Sequence, residues 1–107
     1  FATPGTADVL RSSNVEVTTV YRINERKHPD ALDLMRRGDI SFIVNVPTVS
    51  GGAVRDGNMM RRLAVELNIP FVTTIRGARM ETAAIRALIE KDIIPRKLEV
   101  HYDSKFL

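Results

Sequence analysis

The chain contains no cysteine and no tryptophan. Without thiols it has neither a disulfide framework nor a thiolate metal site. That composition suits a reducing compartment, so a cytoplasmic setting is the expectation. Aromatic residues make up only 6% of the sequence, too few to stack a run of bases. No apolar run approaches the roughly 18 residues a bilayer span needs, and no secretory signal is visible. Charge of either sign is not concentrated: 16 basic against 13 acidic side chains leave +3, with no dense basic run. That mild excess fits a phosphate-bearing ligand as well as a nucleic acid, and the lack of a dense basic run gives the latter no support. Ser–His–Asp spacing, a His cluster at metal-ligand spacing and a P-loop are all missing. No cofactor, metal, nucleic acid or membrane partner is expected. Repeats, low-complexity tracts and internal linkers are likewise missing.

What remains is a 107-residue chain, 44% hydrophobic, which suits one domain over residues 1–107 with one core. Phe1-Ala2-Thr3 has the look of the end of a strand, so further chain upstream is expected. Pro4-Gly5 predicts a turn, with Thr6 capping a short helix whose apolar face includes Val9 and Leu10. The β-branched run Val15–Tyr21 predicts a strand. A charged loop follows to Pro29. Asp30–Arg37 predicts a helix with Ala31, Leu34 and Met35 on one side, closed by a left-handed Gly38. Ile40–Asn45 has the near-continuous apolar character of an interior parallel strand.

A loop rich in Gly, Ser, Thr, Pro and Asn follows that strand. It predicts a helix only from Asn58 to Asn68, with Met59, Met60, Leu63, Ala64 and Leu67 inward. Phe71–Thr74 predicts another strand. The longest helix is expected from Arg76 or Gly77 to about Lys91, with Ala78, Ala84, Ile85, Leu88 and Ile89 at helical spacing. Leu98–Tyr102 is a candidate last strand within an otherwise unassigned tail, residues 92–107. Strands alternating with helices predict a parallel sheet with helices on both faces.

Three strand exits carry small polar residues: Thr3-Pro4-Gly5-Thr6, Asn45-Val46-Pro47-Thr48 and Thr73-Thr74. In a parallel sheet all of them reach the same C-terminal edge, where ligands bind. Hydroxyls, free N–H groups and a helix N-terminus suit a phosphate or carboxylate there. Each residue alone is more often a helix cap or a turn former; the repetition at one edge favours a ligand site. Arg22 ends the second strand and can bring a cation, or simply be solvated. Of Arg61 and Arg62, one is expected to pair with Asp56 or the sheet edge and the other to face water. Asp56 is the most plausible acid, although a helix cap is its first reading. A general base would need a partner. His28 is a solvated loop residue by default, and His101 on the last strand is remote.

Four stretches in series resemble the methylglyoxal-synthase-like domain, in the version found at the C-terminus of the carbamoyl-phosphate synthase large subunit. They are Phe-Ala-Thr-Pro-Gly-Thr-Ala (1–7), Gly-Asp-Ile-Ser-Phe-Ile-Val-Asn-Val-Pro (38–47), Arg-Asp-Gly-Asn-Met-Met-Arg-Arg-Leu-Ala-Val (55–65) and Ile-Pro-Phe-Val-Thr-Thr-Ile-Arg-Gly-Ala (69–78). The likeness runs from residue 1 to about residue 91. It implies a Rossmann-type three-layer sandwich with a parallel sheet of about five strands. The family's first strand and helix have no counterpart in the sequence, nor does the lysine carried there.

The resemblance also implies regulation: an effector-binding domain acting on the synthetase domains of an ATP-dependent ligase, in pyrimidine or arginine biosynthesis. The family's phosphate-contacting threonines match Thr3 and Thr6, around Gly5. Its basic residue matches Arg22, its loop asparagine matches Asn45, and Thr48 fills the adjoining hydroxyl position. With Asp56 these are the expected effector-binding residues. The expected partners are a small anionic effector (a nucleotide monophosphate such as UMP or IMP, or ornithine), the synthetase domains and, as an open alternative, further copies of the chain. A second reading is a lyase forming methylglyoxal from dihydroxyacetone phosphate. It is disfavoured because His28 stands at a catalytic aspartate position of that enzyme and Ala53 at its histidine, and the reaction needs a placed carboxylate. A third is a purely structural module.

Overall fold

The computed structural model describes residues 1–47, 51–91 and 101–102. Helix α1 spans Pro4–Ser12, α2 Ala31–Arg37, α3 Gly51–Leu67 and α4 Ile75–Glu90. Strands β1 (Ile43–Val44), β2 (Phe71–Val72) and β3 (His101–Tyr102) form a sheet in the order β2-β1-β3. Both pairings of β1 are parallel. Ile43 stands opposite Phe71 and His101, and Val44 opposite Val72 and Tyr102. The parallel sheet with intervening helices is the expected α/β class. Three strands, rather than about five, are formed among the described residues.

Alternation along β1 sorts the core into two sides, because successive side chains in a strand point to opposite faces. Ile43 packs with Leu34 and Met35 of α2 and Met60 and Ala64 of α3. Phe42 and Val44 pack instead with Ala78 of α4. Helices therefore cover both faces of β1. A third cluster joins Ala2 to Ala7 and Leu10 of α1, with Val17 against it.

Several boundaries differ from those the sequence predicts. Val15–Tyr21 is not a continuous strand; it makes isolated parallel bridges, Ala2 with Thr19 and Tyr21 with Asp30. On the C-terminal side its pairing with the first residues is limited by α1, which begins at Pro4. Two hydrogen bonds join them, Ala2 N–H to Thr18 C=O (3.0 Å) and Val20 N–H to Ala2 C=O (2.9 Å). Thr6 does not cap α1. Thr3 occupies the N-cap position, without a side-chain capping bond, and Pro4 begins the helix. Proline suits the first turn because its missing N–H has no helical partner there.

Helix α2 starts one residue after the expected Asp30, which caps it. Asp30 accepts a hydrogen bond from Asp33 N–H (3.0 Å) and Asp33 accepts one from Asp30 N–H (2.9 Å), a reciprocal capping box. Gly38 closes the helix at φ 84°, in the left-handed region. Helix α3 begins at Gly51, seven residues before the expected start. Met59 and Leu67, expected inward, are exposed, whereas Met60 and Ala64 are buried as expected. Helix α4 is capped by the Thr74 hydroxyl, which accepts from Gly77 N–H at 2.9 Å. Of its expected apolar face only Ala78 is buried. The candidate last strand survives as His101–Tyr102; its residues 98–100 lie outside the described residues.

Candidate functional site

Parallel pairing brings the ends of β1 and β2 to one edge. Asn45 leaves β1 there, its N–H bonded to Val72 C=O at 3.0 Å. Thr73 and Thr74 leave β2 at the same level, and Thr74 is spent on its helix cap. Ala2 and Thr19 run parallel as well, so Thr3 and Arg22 lie beyond the same ends of their own segments. An apolar cavity of about 40 Å³ is lined by Phe1, Ala2 and Thr3 together with Leu34, Ile43 and Met60.

Arg22 opens a short 3₁₀ turn, Ile23–Glu25. Its N–H donates to the Glu25 carboxylate at 3.2 Å, and Arg26 ends the turn in the left-handed region at φ 56°. The Arg22 side chain is exposed. This turn rests on α3: Asn24 N–H donates to Asp56 Oδ2 at 3.2 Å. Asp56 is thus an acceptor for backbone in the second turn of a helix, not the cap of a helix beginning at Asn58. Neither Arg61 nor Arg62 bonds to it; the Arg61 guanidinium lies over the Phe71 ring, 5.8 Å from its centre.

Two carboxamides also meet α3 at glycines. A methyl at Gly52 would come within 2.9 Å of Asn24 Nδ2, and one at Gly57 would overlap Asn45 Nδ2. Asn45, Asp56 and the turn that Arg22 opens are accordingly gathered along the first two turns of α3. Thr3 and Gly5, both half-buried, and Thr6, 4% exposed, form a second group at the start of α1. Thr48 lies outside the described residues. Asn24, Gly52 and Gly57 were not among the expected site residues. The Asp-Gly pair at 56–57 was their only trace in the sequence, and it has the look of a turn.

His28 is hydrogen-bonded through Nδ1 to Asp33 at 2.6 Å. That bond and the Asp33 charge hold its imidazole above the ordinary value. Asp33 is held below the ordinary carboxylate value by the Asp30 N–H and then by His28. Ligand atoms of His28, Asp30 and Asp33 lie within 4.8 Å of one another, a grouping the sequence spacing did not suggest. Both carboxylates are already engaged in the α2 capping box.

The sequence profile of the MGS-like domain matches residues 1–73. The chain belongs to the MGS-like domain family. Among similar proteins, the C-terminal section of the carbamoyl phosphate synthase large chain of Methanopyrus kandleri is 40% identical over 92 residues, covering 86% of this chain and 17% of that protein. The corresponding section from Methanocaldococcus jannaschii is 43% identical over 89 residues, covering 82% and 14%. The chloroplastic, arginine-specific large chain of Oryza sativa subsp. japonica is 38% identical over 105 residues, covering 96% and 9%. This MGS-like domain therefore spans less than a fifth of the length of these relatives. No solved structure matches it. Among the described residues, no helix is long and apolar enough to cross a membrane.

Proposed function

We propose that this MGS-like domain is an effector-binding regulatory unit of a carbamoyl phosphate synthase large chain. It binds a small phosphate- or carboxylate-bearing molecule, such as UMP, IMP or ornithine, at the C-terminal edge of its sheet. The observation that carries this reading is the meeting of the turn that Arg22 opens and the β1 exit at Asn45 along the first turns of α3. Arg22 brings an exposed cation for an anionic group, Asn45 a carboxamide. Thr3, Gly5 and Thr6 add hydroxyls and backbone at the start of α1; Thr48 is the remaining expected contact. The five-stranded sheet implied by the family resemblance would extend this edge. Regulation works by differential affinity: an effector that prefers one arrangement of the synthetase domains shifts the population toward it.

Calorimetry with UMP, IMP, ornithine and inorganic phosphate tests the proposal on the full-length protein. At least one is expected to bind, and Arg22→Gln to weaken it. No heat and no change in melting temperature with any of them would sink the reading. The lyase alternative finds less support. The Asp56 carboxylate is engaged with Asn24 N–H, and His28 with Asp33. Dihydroxyacetone phosphate is expected to yield no methylglyoxal in a coupled assay.

A further inference from the structure

Glycine is a poor helix former, and three glycines fall within the first two turns of α3, at 51, 52 and 57. Gly57 is buried. A methyl group built on it would overlap Asn45 Nδ2, with Asn45 Cγ at 3.6 Å and Oδ1 at 3.9 Å as its next nearest atoms. All three atoms belong to one carboxamide. The Asn45 backbone is fixed separately, by its N–H bond to Val72 C=O. A side chain at Gly57 would therefore displace the carboxamide and leave the strand in place.

We propose that Gly57 is a positioning residue for effector binding. Its missing side chain makes the slot that holds the Asn45 amide against α3 at the mouth of β1. This inference rests on the effector-site reading above and adds which residue sets the asparagine's position. The tie from Asp56 to the Arg22 turn comes from the adjacent residue of the same helix. Helix α3 thereby fixes the cation-bearing turn and the carboxamide relative to each other, and an anion between them is recognised by their spacing.

The test is Gly57→Ala in the full-length protein, with inorganic phosphate, UMP, IMP and ornithine as probes. Alanine restores helix propensity, so the variant is expected to melt at or above the wild-type temperature. It is also expected to weaken probe binding by roughly ten-fold, the scale of one hydrogen bond to a charged group. In an Asn45→Ala background the same change should cost no further affinity, because the displaced group is gone. Equal binding by Gly57→Ala and wild type overturns the inference while leaving the effector site standing. So does an equal loss in both backgrounds, which would mean that Gly57 acts elsewhere. A variant that fails to fold, or a crystal structure of it with the Asn45 amide unmoved, also overturns it. Wild type binding none of these probes overturns the underlying reading instead.

Discussion

At the scale of single residues, the start of α2 concentrates more interaction than any other short stretch. Asp30 is 5% exposed and accepts from Asp33 N–H. Asp30→Ala should remove this cap and cost about 1 kcal/mol, read as a lower urea midpoint at unchanged slope. The His28–Asp33 bond adds a pH dependence whose sign follows from the two shifts. The folded-state value of His28 is raised, so its contribution is complete below the unfolded histidine value and fades as pH rises through the folded one. That of Asp33 is lowered, so its contribution is complete above the unfolded carboxylate value and fades as pH falls through the folded one. Both are fully present between about pH 4 and about pH 6.5. The gap in melting temperature between wild type and His28→Ala should thus be wider at pH 5.5 than at pH 8.5. A gap independent of pH would contradict this.

At the scale of elements, helix ends and helix faces carry different costs. Gly38 sits at φ 84° with open space around its Cα, so Gly38→Ala meets no clash and should still lose about 1 kcal/mol to backbone strain alone. Gly57→Ala inverts that logic, gaining helix propensity while displacing a neighbour. Core contacts of α3 are worth more than either. Met60, 7% exposed, packs with α2 and β1, and Met60→Ala should cost about 2–5 kcal/mol by denaturant titration. The exposed Met59 beside it should cost well under 1 kcal/mol. Helical spacing in the sequence placed Met60 and Ala64 inside correctly, and likewise Leu34 and Met35 of α2. It misplaced Met59, which borders a buried stripe whose width depends on what the helix packs against, and Leu67, which lies on that face but is the last residue of α3.

At the scale of the whole molecule, the two faces of β1 hold the helices apart and leave the strand exits at one edge. If an effector binds there and not to the unfolded chain, it must stabilise the fold. At one hundred times its dissociation constant the gain is about 2.7 kcal/mol. A differential scan with saturating UMP, IMP or ornithine should show the corresponding rise in melting temperature for whichever one binds. Arg22→Gln should reduce the rise at fixed concentration. Membership of the MGS-like family rested on motifs the sequence displays in order, and the profile match over residues 1–73 agrees with them.

Local chemistry written in the sequence determined the alternation of strands and helices, the Asp30 and Gly38 ends of α2, and the small polar residues that follow each strand. Each is set by neighbours a few positions away, through side-chain period or capping geometry. Tertiary structure alone decided that Gly51–Gly57 is helix and that Val15–Tyr21 is mostly not strand. Isolated glycines disfavour a helix by about 1 kcal/mol each; here two of them give room to the amides of Asn24 and Asn45, which approach from distant parts of the chain. A β-branched run, conversely, becomes a ladder only where a partner strand lies beside it, and among the described residues Val15–Tyr21 makes only the bridges at Thr19 and Tyr21. Neither outcome can be read from a window of sequence, because in both the deciding atoms lie far away along the chain.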